Sequence, residues 1–238
     1  MTLQRAFRYL LVLFTLVFLT ACSSKNKTPT VTLKSSVITV DSKPVKGLKF
    51  NGTGGSSDSS KQIADELGAT WVSGPASRGG QLKRGCAAAQ GAWLLVLHAD
   101  TQLAAGWSKV AEMHLRTEKA GYFRLSFDAD GVPARLVAGW ANLRSRLFGL
   151  PYGDQGLLIS RALYDEVGGF ADMPLMEDVA LARALKGRLV VLPTFARTSA
   201  EKYERSGWLR RGGRNLWTLL RYFAGVPVEQ LAQAYRKP

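Results

Sequence analysis

The residues Trp93-Leu94-Leu95-Val96-Leu97 form an unbroken apolar run that ends in His98-Ala99-Asp100-Thr101. A run of this length without polar alternation suits a strand buried on both faces, and such strands belong to sheets covered by helices on either side. The rest of the chain must therefore supply helices for two faces. Helical composition is found over 81–89, 107–118, 136–148, 161–167 and 176–185. Between these stretches lie the β-like segments Gly121–Phe127, Gly156–Ser160 and Leu189–Leu192, with Thr70–Val72 a shorter one upstream. Helices and strands that alternate in this way indicate an α/β fold, here with a sheet of roughly five to seven strands. The chain beyond Trp208 is Arg-rich and helical, and Gly212-Gly213 argues against a single long helix there.

The N-terminal part reads differently. Arg5 and Arg8 precede an apolar run from Tyr9 to Ala21, which is 13 residues long. A membrane span needs roughly 20, so this run has signal-peptide length. It closes on Leu19-Thr20-Ala21-Cys22, which resembles the lipobox of bacterial lipoproteins and makes Cys22 the candidate lipidation site. The other reading is a short uncleaved anchor with an incidental cysteine. Residues 23–49 are rich in Ser, Thr and Lys and read as a polar linker with short β-like runs at Thr30–Leu33 and Ser36–Val40. Residues 50–238 then form the main domain, with a basic, aromatic helical tail from about 205 to 238. Asp58 or Ser59 is a candidate cap for a helix over Lys61–Leu67.

Charge narrows the partners. The chain has 32 Lys and Arg against 18 Asp and Glu, a net charge of +14 that favours phosphates, acidic lipid headgroups or nucleic acid. Half of that surplus lies in residues 1–50, which hold 8 basic and 1 acidic residue, so the main domain is only moderately basic. Cys22 and Cys86 are the only cysteines, and there are 2 His, which excludes a disulfide scaffold, a four-cysteine zinc site and a His-rich metal centre. Any catalytic metal must lean on carboxylates.

Four segments carry chemistry. His98 and Asp100 follow a buried strand directly, and open α/β sheets bind ligands at strand carboxyl ends. A carboxylate there holds Mg²⁺ or Mn²⁺ or caps the next helix, and His98 is a ligand or a packed histidine; the residues alone leave both pairs of readings open. Glu177-Asp178 follows Pro174-Leu175-Met176 at a helix start, where acids are favoured by the dipole. Apolar neighbours would raise the pKa of one of the two, as a general base requires, although solvated capping acids fit the same pattern. Pro151-Tyr152-Gly153-Asp154-Gln155-Gly156 is a glycine-flanked polar loop that lets the backbone approach a ligand, or an ordinary tight turn. Arg78-Gly79-Gly80-Gln81 places a phosphate-forking arginine beside glycines, without the spacing of a Walker loop or dinucleotide fingerprint. In the tail, basic and aromatic residues interleave. That pattern suits an anionic membrane surface or a domain-packing helix, with nucleic acid third because no nucleic-acid motif accompanies it.

The order of these blocks, from Gly-Gly-Ser-Ser-Asp at 54–58 through Arg-Gly-Gly-Gln, Leu-His-Ala-Asp-Thr, Tyr-Gly-Asp-Gln-Gly and Gly-Gly-Phe to Pro-Leu-Met-Glu-Asp, resembles a family 2 glycosyltransferase. Residues from about Gly54 to Tyr235 are most similar to the bacterial rSAM/selenodomain-associated transferases. The resemblance implies a GT-A-like, Rossmann-like mixed sheet flanked by helices, a UDP- or GDP-linked sugar donor, a divalent metal (Mn²⁺ or Mg²⁺) on its diphosphate, and inverting transfer to an acceptor hydroxyl. By position, it implies Asp178 as general base assisted by Glu177, and Asp100 as metal ligand with His98 beside it. It further implies Ser56, Asp58, Arg78, Gln81 and Asp100 around the nucleotide, and Asp154, Gln155, Trp208 and Arg210 near the donor sugar or acceptor. Tyr203 lies in the tail segment expected to close over the site.

The chain departs from that family at its start. Thr53 stands where the family has a base-binding Asp, Lys46–Phe50 makes a poor second strand, and the first βα unit is missing or replaced by the signal-like segment. The two parts also imply different compartments: a nucleotide-sugar enzyme works on the cytoplasmic face, whereas a lipidated Cys22 faces the periplasm or outer surface. The competing expectation is therefore a membrane-anchored, catalytically degenerate binding lipoprotein.

Overall fold

The structure, a computed structural model, describes residues 36–39, 48–50 and 70–236. The lipobox with Cys22, the 54–58 block with Ser56 and Asp58, and the helix expected over 61–67 lie outside the described residues. The fold is α/β: a mixed sheet with helices on both faces. Its strands are β1 (Ser36–Thr39), β2 (Leu48–Phe50), β3 (Thr70–Trp71), β4 (Trp93–Leu97), β5 (Thr101–Leu103), β6 (Ala120–Phe127), β7 (Leu157–Ser160) and β8 (Leu189–Thr198). They lie in the order β3-β2-β1-β4-β7-β6-β8-β5. Eight strands exceed the expected number; the unanticipated one, β5, is three residues long, too short to leave a periodic signal.

The apolar run at 93–97 is β4, and its alternate residues feed two separate cores, as strand geometry requires. Leu94 and Val96 pack with α1 (Arg78–Ala88), α4 (Arg161–Glu166) and α5 (Glu177–Ala184), through Cys86, Leu163, Leu181 and Leu185. Leu95 and Leu97 face the opposite side, with Ala111 of α2 (Trp107–His114), Phe123, Leu158 and Leu192. Farther along that second face, α3 (Val132–Phe148) lays Ala134, Ala138 and Ala141 on Leu125 and Phe127 of β6. Helix α1 starts three residues before the expected boundary because Ser77 caps it, its hydroxyl accepting from the Gly80 amide at 3.2 Å. Strand β8 runs six residues past its expected end. Pro193 hides the continuation, and the β6–β8 ladder is irregular there, between the Tyr122 and Arg124 pairings.

The chain ends in α6 (Glu201–Ser206), α7 (Trp208–Phe223) and α8 (Val228–Arg236). Contrary to the expectation from Gly212-Gly213, α7 passes through both glycines unbroken. Trp208 at its start packs on Phe127 and Tyr203, and Leu219 near its end is buried with Leu231 of α8 and Val179 of α5. Contacts at both ends offset a helix-propensity cost of about 1 kcal/mol per glycine.

Strand direction positions the site. Strand β4 is antiparallel to β7, β7 is antiparallel to β6, and β6 is parallel to β8, so β4, β6 and β8 run the same way. Their carboxyl ends, Leu97, Phe127 and Thr198, share one edge of the sheet, the usual ligand edge of an α/β domain. The strand beside β4 on the other side is β1, which lies inside the segment read as linker and runs antiparallel to β4.

Candidate functional site

A cavity of about 430 Å³ opens at that edge. Its floor is His98-Ala99-Asp100, directly after β4, and Thr198-Ser199, at the carboxyl end of β8. The two segments are tied together: the Ser199 amide donates to the Asp100 carbonyl at 3.0 Å, and the Thr101 hydroxyl donates to Thr198 Oγ1 at 3.2 Å. Arg78 and Gln81, from the first turn of α1, form one wall, and Asp178 at the start of α5 forms another. Tyr152 and Asp154 enter from the loop before β7. Arg211, Asn215 and Thr218 of α7, with Tyr235 of α8, close the remaining side.

The expected base residues divide. Asp178 reaches the cavity, and backbone groups orient its carboxylate: Gly153 N–H donates to Oδ2 at 2.9 Å and Val179 N–H to Oδ1 at 2.7 Å. Each oxygen keeps a further lone pair for a ligand. Gly153 comes this close because it has no side chain; a Cβ there would collide with the His98 ring. Glu177 instead turns inward, 1% exposed, and its Oε1 accepts from Arg78 Nε at 2.8 Å. Burial, and then the charge of Asp178, push its carboxyl up to about 7 against the opposing pull of Arg78. Glu177 is thus a positioning residue for Arg78. Met176, the only non-glycine residue at positive φ among the described residues (φ 66), turns the chain into α5, whose rotation of about 100° per residue sends the two acids apart. Strained backbone of this kind is common beside functional side chains.

On the floor, Asp100 Oδ2 accepts from Lys202 Nζ at 2.9 Å. Burial alone would raise the Asp100 pKa, but Lys202 and His98 outweigh it and hold the carboxyl below its usual range. His98 is kept neutral by burial and by Arg78, its pKa lowered to about 4, with Nε2 3.4 Å from Arg78 Nη2. Asp154 is pushed up to about 6, chiefly by burial and also by Asp178, against the pull of Arg144. Its Oδ1 is sealed from solvent with no hydrogen-bond partner.

Three expected contacts do not reach the cavity. Gln155 is fully buried, and its amide is spent internally: Oε1 accepts from the Ser145 hydroxyl at 2.5 Å and Nε2 donates to the Phe123 carbonyl at 3.2 Å. Trp208 stacks on Tyr203 at 4.9 Å and supports that wall from behind. Arg210 is exposed, because helical rotation points the next residue, Arg211, inward, where its guanidinium donates to Tyr235 Oη at 2.6 Å. The sequence reading also missed Lys202, Asn215 and Tyr235. Tyr235 donates to Asn215, which in turn donates to Tyr203, so one hydrogen-bonded chain links all three terminal helices. These residues sit in helices with no motif of their own, and nothing in the sequence singled them out.

Among the described residues, no cluster of three or more His, Cys, Asp and Glu side chains stands ready for a metal ion. Asp100 and His98 supply two donors, and Lys202 holds one of them. That set fits a hard cation shared with a ligand's phosphate oxygens, as Mg²⁺ is commonly held, and does not fit a metal centre that stands without substrate. No helix among the described residues is long and apolar enough to cross a membrane.

No protein-family model matches the chain, and no curated protein does. Among solved structures it is similar to one described as the crystal structure of a mycobacterial protein, at 19% identity and a TM-score of 0.44. The match covers 73% of this chain, which spans 64% of the length of that one.

Proposed function

We propose that the chain is a glycosyltransferase of GT-A type, whose cavity binds a nucleotide-sugar and passes the sugar to an acceptor hydroxyl with inversion. The observation that carries this reading is the charge arrangement in one cavity at the carboxyl ends of three parallel strands. Arg78, Lys202 and Arg211 provide positive charge for a diphosphate, and the carboxylates of Asp100, Asp154 and Asp178 line the same space. In the reaction the acceptor oxygen bonds to the anomeric carbon, the bond from that carbon to the diphosphate oxygen breaks with its electron pair leaving on the diphosphate, and the acceptor proton passes to a carboxylate. No covalent enzyme intermediate is needed.

Asp178 is the proposed base, since two backbone amides aim it and it faces the cavity. Asp154 is the second candidate, because a carboxyl held near 6 is matched to proton transfer at neutral pH. Arg78, braced by Glu177, forks onto phosphate. A divalent ion held by Asp100 and His98 would neutralise the diphosphate as it leaves.

The test is a titration of the purified full chain with UDP and GDP, each with and without Mn²⁺, beside Asp100→Ala. Nucleotide binding that depends on Mn²⁺ and is lost in Asp100→Ala supports the transferase reading. A folded protein that binds neither nucleotide overturns it and favours the membrane-anchored binding protein. With substrate in hand, Asp178→Asn abolishes turnover, whereas Asp154→Asn, which imitates the protonated carboxyl, holds the rate at its acid-side level at every pH and flattens the profile around pH 6.

A further inference from the structure

Helices α3 and α7 together carry seven arginines and no acidic residue. Their inner faces are occupied: Arg144 is buried, with Nε donating to the Leu150 carbonyl at 3.0 Å, and Arg211 lies in the cavity wall. Their outer faces combine basic and large apolar side chains. On α3, Val132, Leu136, Leu143 and Leu147 fall on one side at helical spacing and are 39% to 63% exposed. Arg135 and Arg146 flank that stripe, both exposed. On α7, Arg210, Arg214, Trp217 and Arg221 share a face by spacing, and Trp217 is 62% exposed. The two helices touch one another, so the two stripes lie on neighbouring elements.

We infer that this α3–α7 face is a docking surface for an anionic lipid bilayer. Arginines at its margin meet the headgroup charge, and the leucines, valine and tryptophan enter the boundary of the acyl region, the arrangement of an interfacial helix. Exposed apolar stripes of this extent on soluble domains mark interaction sites. Nucleic acid would satisfy the arginines but leave the leucine stripe in water. The face is independent of the chemistry proposed for the cavity, although α7 serves both: Arg211, Asn215 and Thr218 on its inner side line the cavity, and Trp217 on its outer side meets the lipid.

The test uses the full chain with Cys22→Ser and an environment-sensitive fluorophore on Leu147→Cys; Cys86 is fully buried and does not compete for label. A second preparation carries the label on Lys186→Cys, at an exposed position after α5 on the opposite side of the sheet. The apolar 9–21 segment can enter neutral and anionic vesicles alike, so the readout is the local one. Phosphatidylcholine vesicles with about 30% phosphatidylserine are expected to shift the Leu147→Cys emission to the blue, with neutral vesicles and the Lys186→Cys label giving no shift. Adding Arg210→Gln, Arg214→Gln and Arg221→Gln together raises the lipid needed for half the shift by roughly 100-fold, about a factor of five per arginine. No shift at Leu147→Cys overturns the inference, as does an equal shift with neutral vesicles, an equal shift at both labels, or a triple variant that behaves like its parent. Polyuridylate that binds and displaces the protein from vesicles without a shift of its own supports lipid as the occupant. A Leu147→Cys shift produced by polyuridylate alone overturns lipid in favour of nucleic acid.

Discussion

Replacing Glu177 with glutamine tests the electrostatic design of the site without touching the cavity lining. The carboxyl is 1% exposed, and burial together with Asp178 raises it from 4.5 to about 7 although Arg78 is bonded to it. In the unfolded chain it releases its proton near 4.5, and in the folded chain near 7. Between those values the native state holds more protons than the unfolded state, so stability falls as pH rises. The contribution is fully present below 4.5 and gone above 7, and the difference amounts to about 3 kcal/mol. Glutamine has no proton to lose. Urea unfolding of both proteins across this range should show the variant gaining about 3 kcal/mol relative to wild type between the acidic and the alkaline end. Carboxylates that do not face Glu177, including Asp100 with its opposite shift, titrate in both proteins and cancel in the difference. Parallel stability curves would refute the reasoning and mean that Arg78 keeps Glu177 ionised throughout.

Three further substitutions separate the roles assigned here. Lys202→Ala releases Asp100 from its ion pair and should strengthen the Mn²⁺-dependent part of nucleotide binding in calorimetry; weaker binding with no change in metal dependence would make Lys202 a phosphate contact instead. Gly153→Ala drives a Cβ into the His98 ring and disturbs the amide that aims Asp178, so turnover is expected to fall on the order of 100-fold, with about 1–3 kcal/mol lost in unfolding to the clash. Gln155→Ala strips partners from Ser145, Arg144 and the Phe123 carbonyl, and should cost about 3 kcal/mol in unfolding while the folded fraction binds nucleotide as wild type does.

The buried strand 93–97, the helices packed on it and the polar end at His98–Asp100 were legible from the sequence, because hydrophobic periodicity and strand ends depend on neighbours within a few residues. Asp178 and Asp154, singled out as polar residues in short apolar or glycine-bearing segments, both line the cavity. Adjacent residues in such segments could not be sorted, however. Glu177 and Asp178 look equivalent in a line of letters, and only their places about 100° apart on the first turn of α5 send one to Arg78 and the other to the cavity. Gln155 shares its motif with Asp154, yet its amide is consumed by α3, a helix whose approach to β6 is a tertiary event.

The sequence by itself determined an α/β chain with a polar edge after β4, since burial period and turn chemistry are local properties. Tertiary structure decided which charges meet there. Lys202 joins Asp100 across 102 positions and Arg78 joins Glu177 across 99, separations at which only the packing of β4, β8, α1 and α5 brings side chains within hydrogen-bond distance. It also decided that Arg211 faces the cavity while Arg210, one residue earlier, faces solvent, because the rotation of α7 is fixed by the aromatic and aliphatic contacts at its two ends.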